Sequence, residues 1–350
     1  MKGSMENSSQ DDIGNTAEEL ALAGNWKTAL ALLMEAYGRS PSAALERQMG
    51  DMRIRACRDM DCPTPDLPWP PPHSHLEANS SDLPELNPEA LNRDTLRSGI
   101  LGNGGLIVRG LMPRNIVDEM RGSIDRVLHV RNGGETSPED AASLYSRSAQ
   151  VKGGPTQFFA LGDKSLSESA SVWAVDSPQM ASRIIQFYES IGLPELLHEY
   201  FSEPAVLSVK KWVLRRVAPE NGGQAGWHQD GQFLGDDIRT VNLWVALTEC
   251  GGDADAPGME IVAGENNKIY ETGSHGAPFD WTVGQGLVDE ISQKSPVLCP
   301  RFSPGDALFF DHYNLHRTGF GNNHSQARYA IESWFFAASR APVKQIPVLL

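Results

Sequence analysis

Residues 226–235 read "GWHQDGQFLG", and a few residues later residues 240–250 read "TVNLWVALTEC". The first stretch places His228 and Asp230 one residue apart, so on an extended backbone both side chains leave the same face and converge on one point. The second is a β-branched and aromatic run of strand length. Further strand-like runs crowd around these two: 205–218, 259–264, 286–291, 296–300, 306–313 and 328–338, separated by Gly, Pro, Asn and Asp turns. Many short strands divided by such turns predict a sandwich or closed barrel, here mainly β with helices packed outside. One short strand, a turn at Pro113 and an amphipathic helix precede them, and a second helix is expected over residues 178–201.

A chain of 350 residues is long enough for one large core with a smaller unit attached. Residues 16–56 carry apolar residues at helical spacing, punctuated by Gly24 and by Ser40-Pro41, and predict a helical hairpin. Alanines at 29 and 36 and Pro41 give it the small-residue pattern of a single tetratricopeptide-like repeat. One repeat cannot bury its own face, so it either docks on the rest of the chain or offers a groove to a carrier or partner protein. The expected organisation is residues 1–15 disordered or tag-derived, 16–56 the hairpin, 57–88 a proline-rich linker or surface-hugging strap, and 89–350 the β domain.

Forty-five acidic residues against thirty basic ones give a net charge of −15, with no basic run, which argues against nucleic-acid binding. No run approaches the length of about 18 apolar residues needed to span a membrane. Four cysteines and no apolar leader lead to the expectation of a reducing, cytoplasmic setting. His73 and His75 lie in the proline-rich stretch and read as loop histidines.

His228 and Asp230 need a third metal ligand, and His312, His316 and His324 compete for that place in "GDALFFDHYNLHRTGFGNNHSQARYAIESWF". An H-x-D near the start of a strand-rich region, a histidine near its end and an arginine beyond it (Arg328) form a two-histidine, one-carboxylate facial triad with a distal cation. Such a triad leaves adjacent coordination positions open and is associated with non-haem Fe(II) oxygenases.

At this point residues 92–340 resemble the phytanoyl-CoA dioxygenase-like branch of the Fe(II)/2-oxoglutarate oxygenases. "GWHQDG" resembles its first ligand motif, "VNLWVALTEC" its tryptophan-bearing strand, and "LHRTGFGNNHSQARYA" its distal motif. "PGMEIVAGEN" stands where the family usually reads P-G-S-H, and residues 263–300 form an unusual insert expected at the mouth of the site. The resemblance implies a double-stranded β-helix, a cupin-like jelly roll, preceded by the small helical hairpin. It implies Fe(II) on His228, Asp230 and His316, with His316 preferred because the T-G turn and the N-x-x-x-x-x-R tail follow it. It also implies that 2-oxoglutarate binds with its distal carboxylate on Arg328, with Thr318 beside it and Trp244 bordering it, and that O2 is the oxidant. The implied activity is hydroxylation of an unactivated C–H bond of a small-molecule substrate, with desaturation or ring closure as alternatives. Asp230 weighs against halogenation, since halogenases of this kind have a small residue there. The alternative from another class is a non-catalytic metal-binding jelly roll acting through its hairpin. Trp212, Gln229, Gln232 and Phe233, with Arg215 and Arg216, are expected to face or border the substrate cavity.

Overall fold

The computed structural model describes residues 2–78, 82–147, 170–219, 226–235, 237–319 and 324–350. Two facing sheets form a jelly roll. Its strands are β1 (Glu85–Leu86), β2 (Leu106–Val108), β3 (Ser171–Trp173), β4 (Ala205–Val217), β5 (Thr240–Ala246), β6 (Gly258–Val262), β7 (Val297–Leu298), β8 (Ala307–Phe310), β9 (His316–Gly319), β10 (Arg328–Ala337) and β11 (Pro347–Leu349). The large sheet runs β1-β2-β8-β5-β10-β4-β11, with β3 also on β4, and the small sheet runs β7-β6-β9.

Strand β10 shows how the sequence builds this. Side chains alternate across a strand, so Ala330, Trp334 and Phe336 enter the core between the sheets with Trp244, Leu308 and Phe310. Tyr329, Ile331 and Phe335 enter the other core, beneath the helices. Because both faces of the sheet are covered, its strands read as near-continuous apolar runs rather than as alternation.

The helices over the outer face are Arg114–Arg131, Pro178–Ser190 and Leu193–Phe201. The expected helix over 178–201 is divided where Gly192 takes a left-handed φ of 67°, with Pro194 following in the first turn of the second helix. Residues 286–291, expected as a strand, instead lie in the helix Gln285–Ser292. Leu287, Val288 and Ile291 share one helical face and pack together with Trp227, which overrides the short β-like run.

The N-terminal unit has three helices, Lys2–Leu22, Trp26–Arg39 and Ala43–Asp59, rather than the expected two. The first begins at Lys2, so residues 2–15 belong to a helix and not to a disordered start. Gly24, at φ 79°, and the Ser40-Pro41 pair divide the three. Their shared core of Ala29, Leu33, Ala36, Met49 and Met52 is closed on one side by the jelly roll, with Leu349 of β11 packed against it. Ile54 enters the main core beneath the helices. The carrier or partner protein expected here would meet an apolar face already covered by the chain's own last strand.

The proline-rich stretch is a strap rather than a free linker. Trp69 packs edge-on to Tyr200 at 5.9 Å, and the Arg239 guanidinium lies 5.0 Å from its ring.

Arg53 fastens the N-terminal unit to the jelly roll. Its guanidinium is buried and donates to Glu189 at 2.9 Å and to the Leu349 carbonyl at 3.2 Å. Arg53→Met is therefore expected to lower the unfolding free energy by about 1 to 3 kcal/mol, because it leaves both acceptors unpaired. Urea denaturation of the full chain measures this, and an unchanged midpoint would show that the contact contributes nothing.

Candidate metal centre and co-substrate site

His228 and His316 come together through backbone pairing. Each N–H donates to the other's carbonyl at 3.0 Å, a two-bond antiparallel bridge between segments far apart in sequence. Their rings lie 4.4 Å apart between centroids. Asp230 follows at the period of two, on the same face as His228. Ligand atoms of His228, Asp230 and His316 all lie within 4.8 Å of one another.

Backbone carbonyls fix which ring nitrogen of each histidine carries a proton. His228 Nδ1 is 3.0 Å from the Gly226 carbonyl, and His316 Nδ1 is 3.1 Å from the Asn314 carbonyl. A carbonyl only accepts, so each Nδ1 carries the proton and each Nε2 is the atom turned toward the other ligands. Asp230 is similarly divided: Lys211 Nζ sits 2.5 Å from Oδ1, while Oδ2 lies 3.7 Å from His316 Nε2. Burial, and then the adjacent His316 ring, draws the His228 imidazole down to about 4, which keeps it neutral at pH 7. Burial pushes the Asp230 carboxyl up, but Lys211, His316 and His228 together outweigh it and hold the group below the usual carboxylate range. Two imidazole nitrogens and one ionised carboxylate are a donor set that fits Fe(II).

The turn after Asp230 has little freedom. A Cβ at Gly231 would come within 2.3 Å of Ile269 Cδ1, and the Gly231 N–H donates to the His312 carbonyl at 3.0 Å. His312 itself is held by Thr240, whose hydroxyl lies 2.9 Å from its Nδ1. Neither His312 nor His324 joins the ligand group. Residues 320–323, including Asn322 of the distal tail, lie outside the described residues.

Arg328 is buried at the start of β10. Its Nη1 donates to the Gly258 carbonyl at 2.7 Å, and its Cζ lies 5.7 Å from the Trp244 ring. Its Nε is buried without a hydrogen-bond partner, an orphan donor that an incoming carboxylate would satisfy. Burial draws the guanidinium down to about 10, so it stays charged at neutral pH. Gly258 pairs with Gly319 and Ile261 with His316, so the arginine's anchor lies three residues along β6 from the ligand histidine, a distance of about 10 Å. Thr318 occupies β9 two residues past His316 and so shares its face.

The expected cavity residues divide by strand parity. Lys211 and Arg215 of β4 face the site, where Arg215 Nε pairs with Glu332 at 2.6 Å. Trp212 and Arg216, one residue out of step, point outward. Trp212 lines a cleft with Met34, Arg53 and Glu189, and Arg216 pairs with Asp125. Neither borders the substrate cavity as expected, because one step along a strand changes faces. Gln229 also faces away, between the two ligands of its own segment. It is fully buried, donating to the Lys268 and Tyr313 carbonyls at 2.9 and 2.6 Å and accepting from the Tyr270 N–H at 2.7 Å. Gln232 donates to the Tyr270 carbonyl at 3.2 Å. Both glutamines tie residues 263–300 to the ligand segment. Phe233 does border the site, its ring 6.5 Å from that of His228.

Lys211, Glu332 and Trp281 were not singled out from sequence. The signal for the first two was a charged residue at a core position of an apolar strand. For Trp281 it was only membership of the insert.

The family description "Phytanoyl-CoA dioxygenase (PhyH)" matches residues 101–330. No curated protein matches the chain. Among solved structures, AviO1 from Streptomyces viridochromogenes Tue57 is similar at 16% identity and a TM-score of 0.46, over 72% of this chain and 98% of that one. EctD from S. alaskensis with 2-oxoglutarate and 5-hydroxyectoine is similar at 14% identity and a TM-score of 0.49, over 80% and 87%. The non-heme alpha ketoglutarate dependent carbocyclase SnoK from nogalamycin biosynthesis is similar at 15% identity and a TM-score of 0.46, over 72% and 86%.

Gln229→Met keeps the volume of the side chain but removes its three hydrogen bonds, two to the insert and one to Tyr313. A loss of about 2 to 4 kcal/mol of stability is expected, since two carbonyls and an amide lose a buried partner. Thermal and urea unfolding test this, and wild-type stability would show that the three bonds contribute nothing.

Proposed function

The chain belongs to the phytanoyl-CoA dioxygenase family, and from that premise we propose that it hydroxylates an unactivated C–H bond of a small-molecule substrate. The family uses Fe(II), 2-oxoglutarate and O2, and its chemistry is that of a non-haem 2-oxoglutarate-dependent oxygenase. In the proposed reaction one oxygen atom enters the C–H bond and the other enters succinate, while 2-oxoglutarate loses CO2. The observation that carries the reading is the group of His228, Asp230 and His316, each with its ligating atom turned inward by a defined outer partner.

These three residues would hold Fe(II), with Lys211 and the two carbonyls keeping the ligands oriented. Arg328 would receive the distal carboxylate of 2-oxoglutarate in a buried, charge-assisted contact, with Thr318 beside it and Trp244 as the wall beneath the guanidinium. Iron with bound 2-oxoglutarate supplies the oxidising chemistry for C–H cleavage. The chain's own contribution is orientation and the exclusion of water by the apolar core around Phe310 and Trp334. A carboxylate at position 230, rather than a small side chain, supports hydroxylation over halogenation. Among the described residues no helix is long and apolar enough to cross a membrane.

His228→Ala, Asp230→Ala and His316→Ala are each expected to abolish succinate release from 2-oxoglutarate with Fe(II) and ascorbate, while His312→Ala retains it. A dead His312→Ala beside an active His316→Ala would overturn the ligand assignment.

Arg328→Leu should weaken 2-oxoglutarate far more than iron, with a loss of roughly 2 to 5 kcal/mol for a carboxylate left without its cation. Anaerobic titration of the metal-to-ligand charge-transfer band reads this directly, and an unchanged dissociation constant removes Arg328 from the role.

A further inference from the structure

Large exposed apolar side chains are few among the described residues, and three of them stand together over the candidate metal centre. Phe233 is 36% exposed, Phe279 48% and Trp281 45%. Trp281 lies 6.0 Å from the His228 ring and 5.8 Å from Phe233. Phe279 and Trp281 lie parallel within 5° at 5.5 Å, and Phe233 is tilted 55° to Trp281. The rings thus make a shelf of two stacked rings and one tilted ring, partly exposed to solvent, in which Trp281 and Phe233 reach the ligand histidine.

Exposed aromatic rings in contact with a reactive centre call for an occupant, because their apolar surface is otherwise left in water. The shelf is also rigidly held. Val283 donates to the Trp227 carbonyl at 2.8 Å, which binds the insert to the residue before His228. Thr282 is fully buried, and its hydroxyl donates to the Phe279 carbonyl at 2.8 Å while accepting the Phe279 N–H at 3.2 Å. That turn fixes Phe279 and Trp281 on either side of it. Gln229 and Gln232 hold the same insert from below. A prebuilt surface binds without a cost of ordering.

We propose that this shelf selects a substrate bearing a flat ring system, aromatic or fused polycyclic, and lays it against Trp281 with one edge over the metal centre. A planar face lies against the exposed side of one ring over its whole area and meets its tilted neighbour along an edge. A flexible chain touches each with few atoms and loses rotamer freedom on binding. Charge narrows the class further: Lys211 Nζ lies 5.7 Å from the Phe233 ring, so a cationic ring meets a positive neighbour whereas a neutral or anionic one does not. The inference rests on the oxygenase reading above and specifies the substrate class of that site.

The test uses the full chain loaded with Fe(II) and 2-oxoglutarate under anaerobic conditions, with 2-naphthol and decan-1-ol as probes of equal carbon number. Calorimetric titration is expected to show 2-naphthol bound about tenfold more tightly than decan-1-ol, the scale of one good aromatic contact. Trp281→Leu keeps apolar bulk but removes the plane, and should reduce 2-naphthol binding about tenfold with decan-1-ol changed much less. Phe279→Leu provides a second variant with the same expected direction. Equal binding of the two probes by the wild type, or variants that bind 2-naphthol as the wild type does, overturns the proposal. Succinate release by the wild-type protein separates the two readings. Succinate without ring preference removes the shelf alone, and ring preference without succinate removes the oxygenase reading alone.

Discussion

The bridge between His228 and His316 is the contact on which the rest of the site depends. It joins the entry to the ligand turn with β9, and the two hydrogen bonds that close it set both imidazoles on one face. Cross-strand neighbours in an antiparallel pair are held within a few ångströms by the backbone alone. The metal group is therefore a consequence of sheet register before any metal binds. The side-chain partners then refine it: carbonyls orient the rings, and Lys211 turns one oxygen of Asp230 away from the centre.

From that register the division of labour follows along each strand. On β4, Lys211 and Arg215 face the site while Trp212 and Arg216 face the helices. On β10, Glu332 faces inward between Ile331 and Ser333. The period of two also explains the role of Gln229. Lying between two ligands, it necessarily points the opposite way, and there it meets the insert. In the charged inner row Arg215 pairs with Glu332 and Lys211 with Asp230, and while burial raises the Glu332 carboxyl, Arg215 and Lys211 more than offset it. A buried carboxylate of this kind persists because its cations stay in place.

The ligand motif, the strand-rich region and the distal arginine were legible because each leaves a local mark: an H-x-D triplet, apolar runs between turns, an arginine after a histidine and a turn. What was not legible depended on parity or on distant packing. Trp212 and Phe233 are both aromatic residues near the motif, and only the strand phase and the fold of the loop separate the outward one from the one at the mouth. Residues 286–291 carry a run that fits either element, and packing on Trp227 decides it as helix. The first helix begins in a polar stretch with little amphipathic signal, so its start at Lys2 had no apolar pattern to announce it.

The insert shows how these levels combine. Residues 263–300 have no strand long enough to join the large sheet, so their position has to come from contacts with something already fixed. Beside the short pairing of β7 with β6, the ligand segment supplies that anchor, through contacts from Trp227, Gln229 and Gln232. A Cβ at Gly226 would come within 2.3 Å of Thr282, so the insert approaches the ligand segment closely enough to require glycine there. The surface over the metal centre is thus positioned by the same few residues that position the metal ligands. Changes in the exposed faces of Phe279 and Trp281 can alter what is recognised without disturbing what is coordinated, whereas a change at Gln229 or Gly226 disturbs both.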